Sequence, residues 1–263
     1  NELVKIEVPE SWKNLEIPQE AADENLPEYM RTIGNAMNHL RGDSLPVSAF
    51  KDSPDGTMPV GTSKYDKRGV AVDVPVWNPD KCIQCNQGSL VCPHAAIRPF
   101  LLTEEESKKA PAGFKQMDAK GKGMEGLKFA IQVDPLDCLG CGVCVNACPA
   151  KEKALEMSSL ESQMPEAENW EYAMTLSTKK NPADKFSVKG SQFEQPLLEF
   201  SGACAGCGEA AYMKLATQLF GDRMIVANAT GCTQAWGFVA PSLPYTTNGE
   251  GCGPALSNSL FEN

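Results

Sequence analysis

The sequence predicts an α+β fold built around a cysteine-rich centre. Seven of the 11 cysteines lie between residues 82 and 148, and five of these seven stand in C-x-x-C spacing, which suits short loops around metal. Farther along, a Gly/Cys turn precedes a predicted helix, Glu209 to Phe220, and a predicted strand, Met224 to Asn228. The order turn, helix, strand favours the opening of an α/β segment.

Composition and charge narrow the class of protein. With 42% hydrophobic residues, the 263-residue chain is ordinary for a globular protein. A formal net charge of −10 argues against nucleic acid or an anionic membrane as partner. No apolar run reaches the roughly 20 residues of a membrane helix. The N-terminus lacks the apolar core of a secretory signal, so we expect a reducing, cytoplasmic compartment.

The first segment, residues 1–75, contains no cysteine and is predicted to be an irregular connecting arm. Apolar residues at helical spacing predict a helix over residues 23–40. Residues 42–70 are rich in Gly, Pro, Ser and Asp and are predicted to be loop. Alternation over residues 70–76 predicts a short strand. Because the chain starts with Asn, we expect it to be part of a longer protein.

The remaining segments follow from composition. Residues 76–152 hold both dense cysteine motifs, with a charged, Gly- and Lys-rich stretch at 101–126 predicted as a surface insertion. Since this stretch separates two similar halves, the region resembles an internal duplication, and residues 127–133 are a predicted strand. Residues 153–195 are polar and contain Pro, which predicts a linker. Residues 196–263 form the predicted α/β segment.

The second cysteine motif is the more complete. Cys138, Cys141, Cys144 and Cys148 are spaced C-x-x-C-x-x-C-x-x-x-C and followed by Pro149, which is the run of a bacterial two-cluster ferredoxin. The competing interpretation is a zinc site, because C-x-x-C pairs also bind zinc. Four cysteines in this order with a terminal proline favour iron–sulfur.

The first motif has the same spacing with one departure. Cys82, Cys85 and Cys92 occupy the expected positions, but Gly88 stands where the third cysteine belongs. In such motifs the last cysteine of each run ligates the other cluster. We therefore predict two sites. Site A takes Cys82, Cys85 and Cys148 and lacks its fourth ligand at Gly88; site B takes Cys92, Cys138, Cys141 and Cys144.

Site A has several possible states. It could hold a three-iron cluster, a four-iron cluster with water or another residue as fourth ligand, or no cluster. A substitution or sequence error at Gly88 would be a further explanation. The spacing does not rank them.

A third cysteine group lies in the α/β segment. It consists of Cys204 and Cys207 in S-G-A-C-A-G-C-G-E, together with Cys232 in A-T-G-C-T. Cys252 or a residue outside the chain could complete it to four ligands. One C-x-x-C pair is equally compatible with a redox dithiol or half a zinc site.

At this point the chain resembles the pyruvate:ferredoxin (flavodoxin) oxidoreductases. Four stretches carry the resemblance: D-K-R-G-V-A-V-D-V-P at 66–75, W-N-P-D-K-C-I-Q-C-N-Q at 77–87, the motif at 138–149, and the two fragments around Cys204 and Cys232. The resemblance implies an enzyme that uses thiamine diphosphate and Mg²⁺ to decarboxylate pyruvate, with coenzyme A as acetyl acceptor. Electrons would pass through three [4Fe-4S] clusters to ferredoxin or flavodoxin, and the full enzyme would be a homodimer.

The same resemblance implies what each part does. The chain would be an internal fragment: a connecting segment, a ferredoxin-like two-cluster domain and the start of the thiamine diphosphate domain. Cys204, Cys207 and Cys232 would hold the cluster next to the thiamine, with the fourth ligand outside the chain, while Glu209 and Cys232 would approach the cofactor. Cys252 has no role in the family pattern and is expected to be a free thiol. Since the family's pyruvate-binding domains are absent, we expect no pyruvate turnover by this chain alone.

Two alternatives remain open at the sequence level. The chain could be a stand-alone ferredoxin-like electron carrier, or an interaction module stabilised by zinc. The group at Cys204, Cys207 and Cys232 argues against the simple carrier, which has no need of it. The identity of the metal decides the other question.

Overall fold

The computed structural model describes residues 5, 7–14 and 24–258, and the chain divides into two compact units, residues 1–55 and 56–263. In the first unit the main feature is a π-helix, Met30–Gly34, continuing into α1, Asn35–Asn38, with Met30 and Ile33 buried. The predicted helix over 23–40 is thus helical only from residue 28 to 38, and residue 23 lies outside the described residues. Residues 56–75, predicted as part of the connecting arm, group with the second unit.

The second unit alternates short strands and helices. The strands are β1 (Asp73–Trp77), β2 (Ile97–Leu102), β3 (Met117–Asp118), β4 (Lys128–Val133), β5 (Leu155–Ser159), β6 (Ile225–Asn228) and β7 (Ala255–Asn258). The helices are α2 (Gln87–Leu90), α3 (Glu104–Lys109), α4 (Val143–Ala147), α5 (Leu160–Gln163), α6 (Glu166–Met174), α7 (Val188–Ser191), α8 (Gly208–Phe220) and α9 (Cys232–Gly237). This mixture fits the predicted α+β class.

The two cysteine motifs are built as matching halves. In each half a strand leads into a C-x-x-C loop, a short helix, a Cys-Pro pair and a second strand: β1, α2 and β2 in one, β4, α4 and β5 in the other. The strands pair crosswise and antiparallel, β1 with β5 and β2 with β4. This crosswise pairing brings the end of each motif to the start of the other.

The core lies beneath these motifs. Phe129 and Leu102 are fully buried, and the Trp77 and Phe129 rings meet edge to face with centroids 6.0 Å apart. Burying this apolar surface stabilises the short strands, which would not be stable alone. The core therefore holds both cysteine loops on one rigid support.

The predicted insertion at 101–126 packs more closely than expected. Leu101 and Leu102 belong to β2, and Phe114 and Met124 are 7% and 2% exposed. α3 begins with a capping box in which Thr103 and Glu106 satisfy each other's backbone N–H groups. Because these apolar residues are widely spaced, they leave no period in the sequence that would predict their burial.

The segment 153–195, predicted to be a linker, contains regular secondary structure. It contains β5 and α6, and Trp170 of α6 is 2% exposed, with its ring edge-on to Phe100 at 6.1 Å. The residues of α6 that are buried are only Asn169, Trp170 and Ala173. The polar composition of the helix as a whole therefore concealed the face that packs. The segment joins the cysteine core to the rest of the unit.

The C-terminal part contains the predicted helix and strand. Residues 208–220 form α8, and β6 pairs in parallel with β7, which follows α9. Trp236 and Tyr245 lie in a small second core with Leu198 and Val226. Within the described residues, no helix is long and apolar enough to span a membrane.

Candidate metal centres

Site B is a cavity lined by the four cysteines predicted for it, Cys92, Cys138, Cys141 and Cys144. The remaining lining is largely apolar, from Pro75, Ala96, Ile97, Leu139 and Val143. Burial raises the pKa of Cys138 and of Cys144 to about 12. These two thiols therefore stay protonated at neutral pH unless a bound metal displaces the proton.

Glycine shapes the loop at site B. Gly140 and Gly142 adopt left-handed backbone angles, with φ of 66° and 70°. A side chain on Gly140 would bring its Cβ within 2.6 Å of the Asp73 carbonyl oxygen. The Gly140 N–H donates to Cys138 Sγ at 3.4 Å, a contact that stabilises negative charge on the sulfur.

Site A is a second cavity, lined by Cys82, Cys85, Gly88 and Cys148. Backbone N–H groups again face the sulfurs: Gln84 donates to Cys82 Sγ and Ala154 donates to Cys148 Sγ, both at 3.4 Å. The structure thus brings together each set of residues that the crossover rule predicts. Sites A and B are neighbours, because Ile97 lines both cavities.

Gly88, the position at which site A lacks its fourth ligand, lies between sites A and B. A Cβ built on Gly88 would lie 3.0 Å from Leu155 Cδ1 and 3.5 Å from Cys144 Cβ. No other cysteine lines the cavity of site A. Site A therefore offers three thiols where site B offers four.

The third cysteine group is more exposed to solvent than the cysteines of sites A and B. Cys204 and Cys232 are exposed, while Cys207 caps α8, its Sγ accepting from the Ala210 N–H at 3.5 Å. Thr233 donates a hydrogen bond to Glu209, which joins the starts of α8 and α9. This group lines neither the site A cavity nor the site B cavity. The exposed Cys252 lies on a turn held by Asn248.

The loop of the third group packs against site B. A Cβ built on Gly206 would lie 3.4 Å from Val143 Cγ2 and 3.6 Å from Cys141 Cβ. His94, 3% exposed and also lining site B, has its Nε2 2.9 Å from the Ala203 carbonyl oxygen. Burial lowers the pKa of His94. The three cysteine groups therefore form a continuous series.

Lys214 is a buried residue that the sequence reasoning missed. It is 1% exposed on the inner face of α8 and donates to the carbonyls of Ser89 and Leu90, the latter at 3.2 Å. Burial lowers the pKa of Lys214 to about 8. The sequence offered one sign that Lys214 is packed: it lies four residues after Ala210, on the same face of the helix, and Ala210 is buried.

In the described ranges, no three Cys, His, Asp or Glu side chains converge closely enough to hold one metal ion. The thiols of sites A and B surround cavities instead. This arrangement suits a cluster, whose thiolates bind different iron atoms.

Comparison with known families identifies two regions. Residues 81–152 match a family model described as a 4Fe-4S dicluster domain. Residues 16–71 match a domain of unknown function.

Curated relatives match nearly the whole chain. It is 59% identical over 261 residues to a pyruvate-flavodoxin oxidoreductase of Enterobacter agglomerans, covering 99% of the chain and 22% of that protein. It is 55% identical over 262 residues to the pyruvate:ferredoxin oxidoreductase of Moorella thermoacetica, with the same coverage. A pyruvate dehydrogenase [NADP(+)] of Cryptosporidium parvum is 51% identical over 92% of the chain and 12% of its own length. The chain thus spans about a fifth of the oxidoreductases it matches.

Proposed function

We propose that this chain, homologous over nearly its full length to a segment of the pyruvate-flavodoxin and pyruvate:ferredoxin oxidoreductases, is the electron-relay part of such an enzyme. The whole enzyme would convert pyruvate and coenzyme A into acetyl-CoA and CO₂, releasing two electrons and a proton. The electrons would leave one at a time through the clusters to ferredoxin or flavodoxin, the acceptors in the relatives' names.

The contact of the Cys204–Cys207 loop with site B carries this proposal. Gly206 approaches Cys141, and the Gly88 position adjoins Cys144, so the third group, site B and site A follow one another without a gap. A simple carrier needs neither the third group nor this contact. The series therefore favours a relay that receives electrons at the third group and delivers them at site A.

The residues present fit iron–sulfur clusters at sites A and B. Their thiols line cavities, and backbone N–H groups face the sulfurs. When bound, the clusters supply one-electron redox chemistry. The protein orients the thiolates, excludes water with apolar side chains and supplies hydrogen bonds that tune the potential.

The thiamine part of the proposal rests on fewer contacts. Thiamine diphosphate, held with Mg²⁺, supplies carbanion stabilisation at the 2-oxo acid. Glu209 lies at the start of α8 and is bonded to Thr233, next to Cys232, so the two proposed contact residues are held together. Glu209 and Cys232 both lie in the proposed thiamine diphosphate segment, residues 196–263.

Metal analysis tests the proposal directly. After anaerobic purification we expect iron and acid-labile sulfide in near-equal amounts, about eight of each per chain for two cubanes, with little zinc. Cys141→Ala should lower the iron content by at least one per chain, because site B is then left with three thiols. Zinc without sulfide would overturn the relay and leave a structural metal module. Measurable coenzyme A-dependent pyruvate oxidation by the chain alone would overturn its assignment as a relay part only.

A further inference from the structure

Two buried side-chain oxygens at the site A cavity find no hydrogen-bond partner within the described part of the chain. Ser89 is 2% exposed and Asn86 4% exposed, and both line the cavity. Ser89 Oγ and Asn86 Oδ1 have no hydrogen-bond partner among the residues that the structure describes. Burying a polar atom without a partner is energetically unfavourable, so such atoms indicate a missing ligand or ion.

Ser89 is the better iron ligand of the two. Asn86 already donates through Nδ2 to the Lys189 carbonyl oxygen at 2.9 Å, which fixes its amide. Its remaining oxygen belongs to a neutral amide, a weak donor to iron. A serine hydroxyl can lose its proton and bind as an alkoxide, and Ser89 directly follows the glycine that lacks the thiol.

The backbone of Ser89 is held in place. The Lys214 ammonium donates to the Ser89 carbonyl, and the Leu90 N–H donates to the Asn86 carbonyl at 3.0 Å. A ligand on a rigid element loses little freedom on binding a metal. Ser89 is therefore preorganised beside the position that Gly88 leaves empty.

We propose that Ser89 Oγ is the fourth protein ligand of a four-iron cluster at site A. As the Fe–O bond forms, the O–H bond breaks and its proton passes to water, with no electron transferred. The inference rests on the proposed function, because it needs a cluster at site A. It replaces the lost cysteine by a neighbouring oxygen.

Three variants of the full chain test it. Ser89→Ala should lose about one iron and show the EPR signal of an oxidised three-iron cluster, which an oxidised cubane of this type lacks. Gly88→Cys should keep the full iron content. Gly88→Cys/Ser89→Ala should recover the iron lost in Ser89→Ala, because a thiolate again completes the site. Position 88 is outside the left-handed region, and Leu155 must shift only a few tenths of an ångström.

The outcomes separate the possibilities. Ser89→Ala with unchanged iron and EPR would overturn the proposal. A double variant that loses as much iron as Ser89→Ala would also overturn it. The alanine at position 89 would then lower the iron content by disturbing the fold, and not by removing a ligand. Every variant keeps the Cys204 group unchanged, so any iron bound there is the same in all of them and does not affect the comparison. Absence of sulfide from all variants, site B included, would instead overturn the proposed function.

Discussion

The buried ion pair between Arg98 and Glu199 should be critical for joining the cluster core to the C-terminal segment. Arg98 Nη2 lies 2.5 Å from Glu199 Oε2, and the side chains are 10% and 7% exposed. Arg98 extends from β2, while Glu199 precedes the Cys204 loop. The guanidinium also lies 5.3 Å from the ring centroids of Trp170 and Phe200.

Removing one partner leaves the other charge buried without compensation. We expect Glu199→Gln or Arg98→Met to cost about 3–5 kcal/mol. In a unit of this size each kcal/mol shifts Tm by about 2–4 °C, so Tm should fall by about 6–20 °C. Arg98→Met/Glu199→Leu should recover much of the loss, because a well-packed apolar pair replaces a buried ion pair at little cost.

The assay is anaerobic thermal unfolding of the cluster-loaded chain at one fixed scan rate, followed by cluster absorption. Glu104→Gln is the control, because its pair with Lys108 is exposed on both sides and worth about 0.5 kcal/mol at most. Single variants that melt within about 2 °C of the unchanged chain, or strictly additive losses in the double variant, would refute the reasoning.

Two further predictions concern single residues. Burial alone would raise the pKa of Glu106, but the Lys179 ammonium and the Thr103 and Ser177 donors lower it from 4.5 to about 2. Glu106→Gln should speed hydrogen exchange at Ser177 about tenfold or more above pH 4.5; the difference should shrink as pH falls towards 2, where the carboxylate's contribution is lost. Gly206→Ala should lower the stability by about 1–2 kcal/mol, measured as Tm, because φ is 73° there.

Matched controls distinguish these effects from general ones. Glu105→Gln removes the same charge from an exposed site on the same helix turn and should leave exchange at Ser177 unchanged. Gly202→Ala adds a methyl where nothing lies within 4 Å, so Tm should stay the same. Equal effects of Glu105→Gln and Glu106→Gln, or of the two glycine variants, would contradict the assigned contacts.

Local chemistry was readable from the sequence. Thiolate ligands must stand at set intervals to wrap a cluster, so the spacing of the two motifs predicted that Cys138, Cys141 and Cys144 share site B with Cys92 before any fold was known. The long apolar period of Glu209–Phe220 predicted α8, and the alternating run at 127–133 predicted β4. The gap at Gly88 was equally visible, because glycine supplies no ligand.

The sequence by itself thus determined the cysteine groups, the α+β class and the missing thiol. Only the tertiary structure decided that Ser89 Oγ is buried without a partner, that Lys214 holds the Ser89 carbonyl, and that Gly206 touches site B. Two of these features join residues more than 60 positions apart, and the third depends on burial. Long-range contacts and the burial of a single polar atom produce no periodic pattern in the sequence. Spacing encodes the ligands because they are local, whereas packing alone brings the relay's parts together.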